Sequence, residues 1–373
     1  MQNTIRVKNV FFILLLWLAS GCASDRPPTG GPLDTTPLQV TLSDPAPSAV
    51  NVSTNRIHLT FNHDISVRQL LNAVIISPSI GEYDIAVHGR ETEIKGFKPL
   101  EHGQTYILTL DKSLRDNNGR SFRTPFTMGF STGSVIDSGI ISGKVINADF
   151  SPATNALILA FAEHPETNRA ESLLQREPDY VIQADASGLF SFNYMARGLY
   201  RLIAVNDRNS DMRYNAGSEE SGLCSIAIIP TGSSDLIFRL SGIQRNAGKL
   251  LTKPVSKLPD VAETGTISGT CFASGQYVIV EASSLTASYS TTASRDQNGM
   301  LHYSFLELPP GSYTVSAFIP SGSKKPDSGR QWNPGSIEPF QPAEPSGFYP
   351  EKVTVRPRWT TEHIDIRINM SKQ

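Results

Sequence analysis

The chain has 373 residues, with 33 Lys+Arg against 35 Asp+Glu and a net charge of -2. No basic surplus points to nucleic acid, and no acidic block points to a solvating tail. Charged residues make up 18%, below the ~25% of an average soluble protein, with Ser and Thr in their place. Gly 28 and Pro 25 lie near ordinary usage, which excludes collagen-like and low-complexity chains. At ~100–200 residues per domain the length predicts two to three domains. Three cysteines are too few for a disulfide scaffold.

The first elements are those of an export signal. Arg6 and Lys8, with no acid nearby, precede an apolar run from Val10 to Leu18. That run is far short of the ~20 residues that span a bilayer, and a basic head, a short apolar run and small residues after it predict a secretory signal peptide. Leu18, Ala19, Ser20 and Gly21 lead directly into Cys22. This order resembles the lipobox of bacterial lipoproteins. The resemblance implies that residues 1–21 are removed, with the small Ser20 and Gly21 letting the chain enter the peptidase extended. It also implies that the Cys22 thiol receives diacylglycerol through a thioether. Two or three acyl chains hold stably where one is marginal, at ~0.8 kcal/mol per buried methylene. An ordinary cleaved signal with a chance cysteine is the alternative. No Asp follows Cys22 directly, so the expected location is the outer membrane, lipid-anchored and facing either the periplasm or the cell surface. Residues 22–37, rich in Pro and Gly and without apolar periodicity, predict an extended tether. No later stretch is long and apolar enough for a transmembrane helix.

Residues 38–133 alternate with period two. Ile57, Leu59 and Phe61 are one such run, Tyr83, Ile85 and Val87 another, and Tyr106, Leu108 and Leu110 a third. Runs this short, bounded by Gly, Pro, Asn or Asp, predict a sandwich with one core-facing side per strand. Val67, Leu70, Leu71 and Val74 have the spacing of a single helical turn. The order of Ile57-His58-Leu59-Thr60-Phe61, Ser77-Pro78, Thr105-Tyr106-Ile107-Leu108-Thr109-Leu110, Asp116-Asn117-Asn118-Gly119 and Phe130-Ser131-Thr132-Gly133 resembles the bacterial Ig-like domain of S-layer proteins (SbsA-type). The Pro-rich lead from Pro28 to Pro37 is similar to that of Ig-like lipoproteins from Bacteroidetes-type bacteria.

An internal repeat follows. One copy reads Ile141-Ser142-Gly143, then Asp185-Ala186-Ser187-Gly188, then Gly198-Leu199-Tyr200. The other reads Ile267-Ser268-Gly269, then Asp296-Gln297-Asn298-Gly299, then Gly311-Ser312-Tyr313. A further echo is Asn215-Ala216-Gly217 against Asn333-Pro334-Gly335. Asp-x-x-Gly supplies an Asx-type turn and a φ > 0 position between strands, and Gly-x-Tyr starts a strand whose ring enters the core. Both copies resemble the transthyretin-like, carboxypeptidase-regulatory and Cna-B sandwiches. The expected division is 138–245 and 264–370 for the two copies, with a linker at 246–263.

The search for chemistry returns little. The seven histidines are scattered and form no paired zinc spacing. No G-x-S-x-G elbow occurs. Gly139 to Lys144 lacks the spacing of a phosphate loop, and Ser321-Gly322-Ser323-Lys324 has no KTG partner and lies in a Gly/Ser/Lys-rich loop. Asp207, Asn209 and Asp211, with Glu219 further on, offer oxygen ligands of the kind Ca²⁺ takes, although Met212 stands where an EF-type loop needs Gly. A solvated Asx-rich loop is the alternative. Cys224 and Cys271 are either a bridge permitted by an oxidising envelope or two buried small hydrophobes. Between Trp332 and Trp359 aromatic and proline residues are dense. Trp332, Phe340 and Tyr349 read either as a ligand surface for sugar or a protein partner, or as a Pro-rich loop packed over a sandwich edge.

The sequence thus predicts an all-β protein of three tandem sandwiches with no enzymatic centre and no certain cofactor, Ca²⁺ being the candidate. Its expected partners are the membrane, through the lipid anchor, and an envelope protein or polysaccharide, but not nucleic acid. An adhesive, scaffolding or structural role is expected. The alternative is a carbohydrate-binding accessory lipoprotein of a surface glycan-uptake system.

Overall fold

A computed structural model describes residues 34–111, 113–163, 173–209, 211–241, 263–322 and 329–368. The expected signal peptide with Leu18, Ala19, Ser20, Gly21 and Cys22, and most of the expected tether, lie outside the described residues, as does nearly all of the expected linker. From Pro37 onward the chain is one compact unit that is nearly all β and contains three successive sandwich cores. No helix among the described residues is long and apolar enough to cross a membrane.

The first module sets a four-stranded sheet against a three-stranded one. The four-stranded sheet has the order β1 (Val40–Asp44), β2 (Arg56–Phe61), β5 (Glu91–Gly96), β4 (Tyr83–His88). The other runs β3 (Val74–Ser77), β6 (Thr105–Leu110), β7 (Phe126–Ser131). In β2 the expected alternation holds, with Ile57, Leu59 and Phe61 buried and Arg56 and His58 exposed. The helical turn is α1 (Val67–Leu71), whose Ser66 hydroxyl accepts the Gln69 N–H at 3.4 Å as N-cap. Its apolar spacing is only partly used, since Leu70 is buried while Val67 and Leu71 stay exposed.

The second and third modules share their central strand pairings, although β18 (Ser288–Arg295) joins the strands of the third into one nine-stranded sheet where the second has two. In the second, β8 (Gly139–Ile146) pairs antiparallel with β11 (Leu189–Met195) and parallel with β15 (Leu236–Arg239). In the third, β16 (Gly265–Phe272) pairs antiparallel with β19 (Leu301–Leu308) and parallel with β23 (Thr360–Thr361) and β24 (Ile366–Arg367). The facing sheets are built on β9 (Leu157–Ala162) with β12 (Leu199–Asn206), and on β17 (Val278–Ser283) with β20 (Gly311–Phe318).

The repeated motifs have repeated tasks. The glycine of each Ile-Ser-Gly is where the last strand comes closest. A Cβ on Gly143 would lie 2.3 Å from the Leu236 carbonyl oxygen, and one on Gly269 2.1 Å from that of Ile364. In each Asp-x-x-Gly turn one carboxylate oxygen accepts two backbone N–H groups. Asp185 takes those of Ser187 and Leu189, and Asp296 those of Asn298 and Met300, all at 2.8–2.9 Å. Asp116 of the first module does the same with Asn118 and Arg120. The tyrosine of each Gly-x-Tyr donates its hydroxyl to a carbonyl four residues earlier, Tyr200 to Ala196 and Tyr313 to Pro309.

Candidate functional site

The residues that carried chemistry in the sequence fall in three places: a loop of the second module, the seam between the second and third modules, and a groove on the third.

The loop after β12 holds Asp207, Asn209 and Asp211, and their oxygens are engaged with the loop itself. Asp207 Oδ2 accepts the Met212 N–H at 3.0 Å, Asn209 Oδ1 accepts Asp211 N–H, and Asp211 Oδ1 accepts Arg213 N–H. The other Asp211 oxygen accepts the Asn209 and Asn215 side-chain amides. The bond from Asn215 holds the Asp211 carboxyl below the usual carboxylate range. Glu219, only 3% exposed, accepts Arg208 N–H and Asn215 N–H on its two oxygens. Among the described residues no three His, Cys, Asp or Glu side chains converge on a metal position. Asp207, Asn209 and Asp211 thus form an Asx-stabilised loop whose side-chain oxygens accept the loop's own N–H groups, and Ca²⁺ there remains an expectation. Asp207 and Asn209 also line a polar cleft of about 960 Å³ beside the first module, opposite Asp111 and Gln183.

The third module repeats this device. Glu344, also 3% exposed, accepts Ser321 N–H at 2.6 Å and Asn333 N–H at 3.0 Å and pairs with Arg330. Both copies thus close their long loop on a buried glutamate that takes two backbone donors. Sequence reading missed this. The available signal was the Asn-x-Gly echo, which places Asn215 and Asn333 in matching roles.

That loop also carries Trp332 and Phe340, and both rings are packed against the second module. Strand β9 reads Leu-Ile-Leu-Ala-Phe-Ala and is buried throughout. Ile158 and Ala160 enter the second module's own core. Leu157, Leu159 and Phe161 face the other way, join Ile203 and Val205, and are covered by Ala343 with Trp332, Ile337 and Phe340. Trp332 donates its indole N–H to the Glu344 carbonyl at 2.9 Å. The Arg201 guanidinium lies 4.9 Å from the Phe340 ring centre. Arg239 lies 4.0 Å from that of Phe150 and 4.8 Å from that of Trp332. Burial lowers the Arg239 pKa to about 10, against an opposing influence from Glu281 of the third module. The enclosed space left at this seam is about 20 Å³, room for a single water. Trp332 and Phe340 are therefore partly buried mortar between the two modules.

Tyr349 packs on the third core but also lines a groove of about 470 Å³ on that module's surface, together with Trp359. Trp359 is 68% exposed.

The first seam is smaller. Strand β6 is buried on both faces, and Ile107 joins the second module's core. Val181 N–H, on β10 (Tyr180–Gln183), donates to Ser77 Oγ at 3.0 Å. The Tyr194 ring lies so close to Gly129 that a Cβ there would stand 2.8 Å from it.

Cys224 and Cys271 are free thiols, each in its own module's core. Burial pushes their pKa values up to about 11 and about 12 respectively. Neither thiol is expected to react with iodoacetamide in the native protein at pH 8, and both are expected to react after denaturation. Mass spectrometry of the alkylated chain reads the outcome.

No curated protein matches the chain. Among solved structures it is similar to the native conformation of Escherichia coli alpha-2-macroglobulin, with 10% identity over 75% of this chain and 25% of that one, TM-score 0.21. It is also similar to the N-terminal part of the bacterial S-layer protein SbsC, with 14% identity over 54% and 42%, TM-score 0.20. The third is BcpA, the major pilin subunit of Bacillus cereus, with 9% identity over 52% and 67%, TM-score 0.18. The chain covers less than half the length of the first two. Residues 34–132, the first module, match the family described as Bacterial Ig-like domain.

Proposed function

We propose that this chain is a non-enzymatic, lipid-anchored envelope protein in which tandem sandwiches form a stiff structural or adhesive arm. The observation that carries the reading is the seam between the second and third modules. An outer sheet face of one module is covered by the aromatic loop of the other, with two arginines set against aromatic rings across it. A seam of this kind suits a protein that must hold a distance, since modules joined by bare linkers move by default. The Leu18-Ala19-Ser20-Gly21-Cys22 lipobox supports an outer-membrane anchor. The strand pairings and motifs common to the second and third modules support the reading of both as transthyretin- or carboxypeptidase-regulatory-like repeats, and the order of motifs in the first supports an SbsA-type domain.

Labelled palmitate fed to cells expressing the full chain is expected to enter the protein and to be lost in Cys22→Ser. Palmitate-free protein in the wild type would sink the anchor. The second reading, a carbohydrate-binding accessory lipoprotein, is favoured by one observation, the exposed Trp359 beside Tyr349.

A further inference from the structure

Trp359 lies in the short connection between β22 (Val353–Val355) and β23. An indole left two-thirds exposed at a strand connection contributes little to the core, yet the backbone that carries this one is anchored by hydrogen bonds. Trp359 N–H donates to the Arg356 carbonyl at 3.2 Å, and the Trp359 carbonyl accepts Thr266 N–H at 2.9 Å. Arg358 N–H donates to the Thr264 carbonyl at 2.7 Å, with Arg358 at φ 62°. The whole turn sits on Gly265, where a Cβ would lie 2.3 Å from the Arg356 oxygen. The backbone beneath the ring is therefore set before any ligand arrives, which leaves only the side-chain torsions to be ordered on binding.

The surroundings narrow the ligand. The groove beside the ring presents Glu351 and Glu362 against Lys352 and Arg356, so its formal charge balances and it selects neither a polyanion nor a polycation. Thr354 and Thr360 add hydroxyls. A large apolar face flanked by charge-balanced donors and acceptors suits a molecule with the same two sides. A pyranose ring has an apolar C–H face and a rim of hydroxyls, each of which can donate and accept.

We infer that the Tyr349–Trp359 groove of the third module is a binding site for a neutral oligosaccharide, with Trp359 as the stacking platform. The inference rests on the glycan-binding reading above and is independent of the lipid anchor. The surface sits on the last module, beyond both seams, so binding leaves the packed aromatics Trp332 and Phe340 untouched.

The test is an array of neutral hexasaccharides (cello-, xylo-, manno-, malto- and chito-series) probed with the full chain, followed by titration of any hit against intrinsic tryptophan fluorescence. At least one series is expected to bind, with a shift in tryptophan emission. Trp359→Ala should weaken that binding at least about tenfold, and Trp359→Phe should retain part of it. Trp359 is a surface side chain, so the variant is expected to keep the wild-type melting temperature, which circular dichroism checks. Binding that survives Trp359→Ala within about twofold overturns the groove while leaving the glycan reading. An array silent for every series overturns both.

Discussion

Glu344→Ala is expected to destabilise the third module by about 2–4 kcal/mol, the range for stranding buried donors when one of them is charged. The carboxylate is almost fully buried and takes the N–H groups of Ser321 and Asn333 and the Arg330 guanidinium. Removing it leaves two part-buried backbone donors without their acceptor. Arg330 is 35% exposed and can recover part of its loss from solvent, which keeps the expected cost below that of breaking a fully buried pair. The loop also carries Trp332, whose indole N–H is bonded to the backbone of Glu344 itself. The seam should therefore loosen with the loop. Urea unfolding followed by tryptophan fluorescence reads the midpoint. Glu344→Gln, which still offers one oxygen, should fall between the wild type and the alanine variant. A midpoint unchanged in Glu344→Ala would refute the role assigned to the carboxylate.

Gly269→Ala is expected to cost about 3 kcal/mol or more, at the upper end of overpacking effects. The added methyl would fall 2.1 Å from the Ile364 carbonyl oxygen and 2.6 Å from its carbon, and both atoms are backbone. No side-chain rotation relieves that contact, so β16 must separate from the segment leading into β24. The same carbonyl accepts the Tyr303 hydroxyl at 2.5 Å, and Cys271 and Ile366 pair just beyond it. A useful contrast is Gly299→Ala. Gly299 has φ 80° with open space around it, so the variant should lose only the ~1 kcal/mol of a strained turn residue. Thermal unfolding of the two variants by circular dichroism would separate them. Equal losses would mean that close strand approach is not what fixes this glycine.

These two residues show how far the sequence could be read. Gly269 stood out because Gly143 repeats it, and the Asp-x-x-Gly turns and Gly-x-Tyr strands stood out for the same reason. A repeat exposes residues whose task is local, because the same short-range geometry recurs wherever the module does. Glu344 did not stand out, and Glu219 stood out only as a further oxygen ligand for Ca²⁺. Their partners are backbone N–H groups up to 23 residues away, and backbone donors leave no mark on composition. Asp207, Asn209 and Asp211 are ambiguous in sequence for a related reason. Oxygen side chains at alternate positions suit a cation and a chain of Asx bonds equally well, and only the direction of the lone pairs separates the two.

The seams were half legible. Alternation in the first module predicted one wet face per strand, but β6 is buried on both because the second module covers its outer side. The signal for double burial was present in β9, whose six consecutive apolar residues are the pattern of a strand covered on both faces. The partner that covers it was not, because Trp332 and Phe340 lie some 170 residues further along the chain and sequence distance says nothing of which surface a loop meets.

By itself the sequence determined the all-β class, the turn chemistry and the repeated motifs, and raised the expectation of an export signal and lipobox, all of which follow from spacings of a few residues. Only the tertiary structure decided which aromatic rings are buried and which is open. Trp332 and Trp359 have the same side chain within one proline-rich stretch. One packs, partly buried, against the face of a neighbouring sheet, while the other stays exposed on a turn seated on Gly265. That difference is set by contacts distant in sequence, and it decides where a ligand can be held.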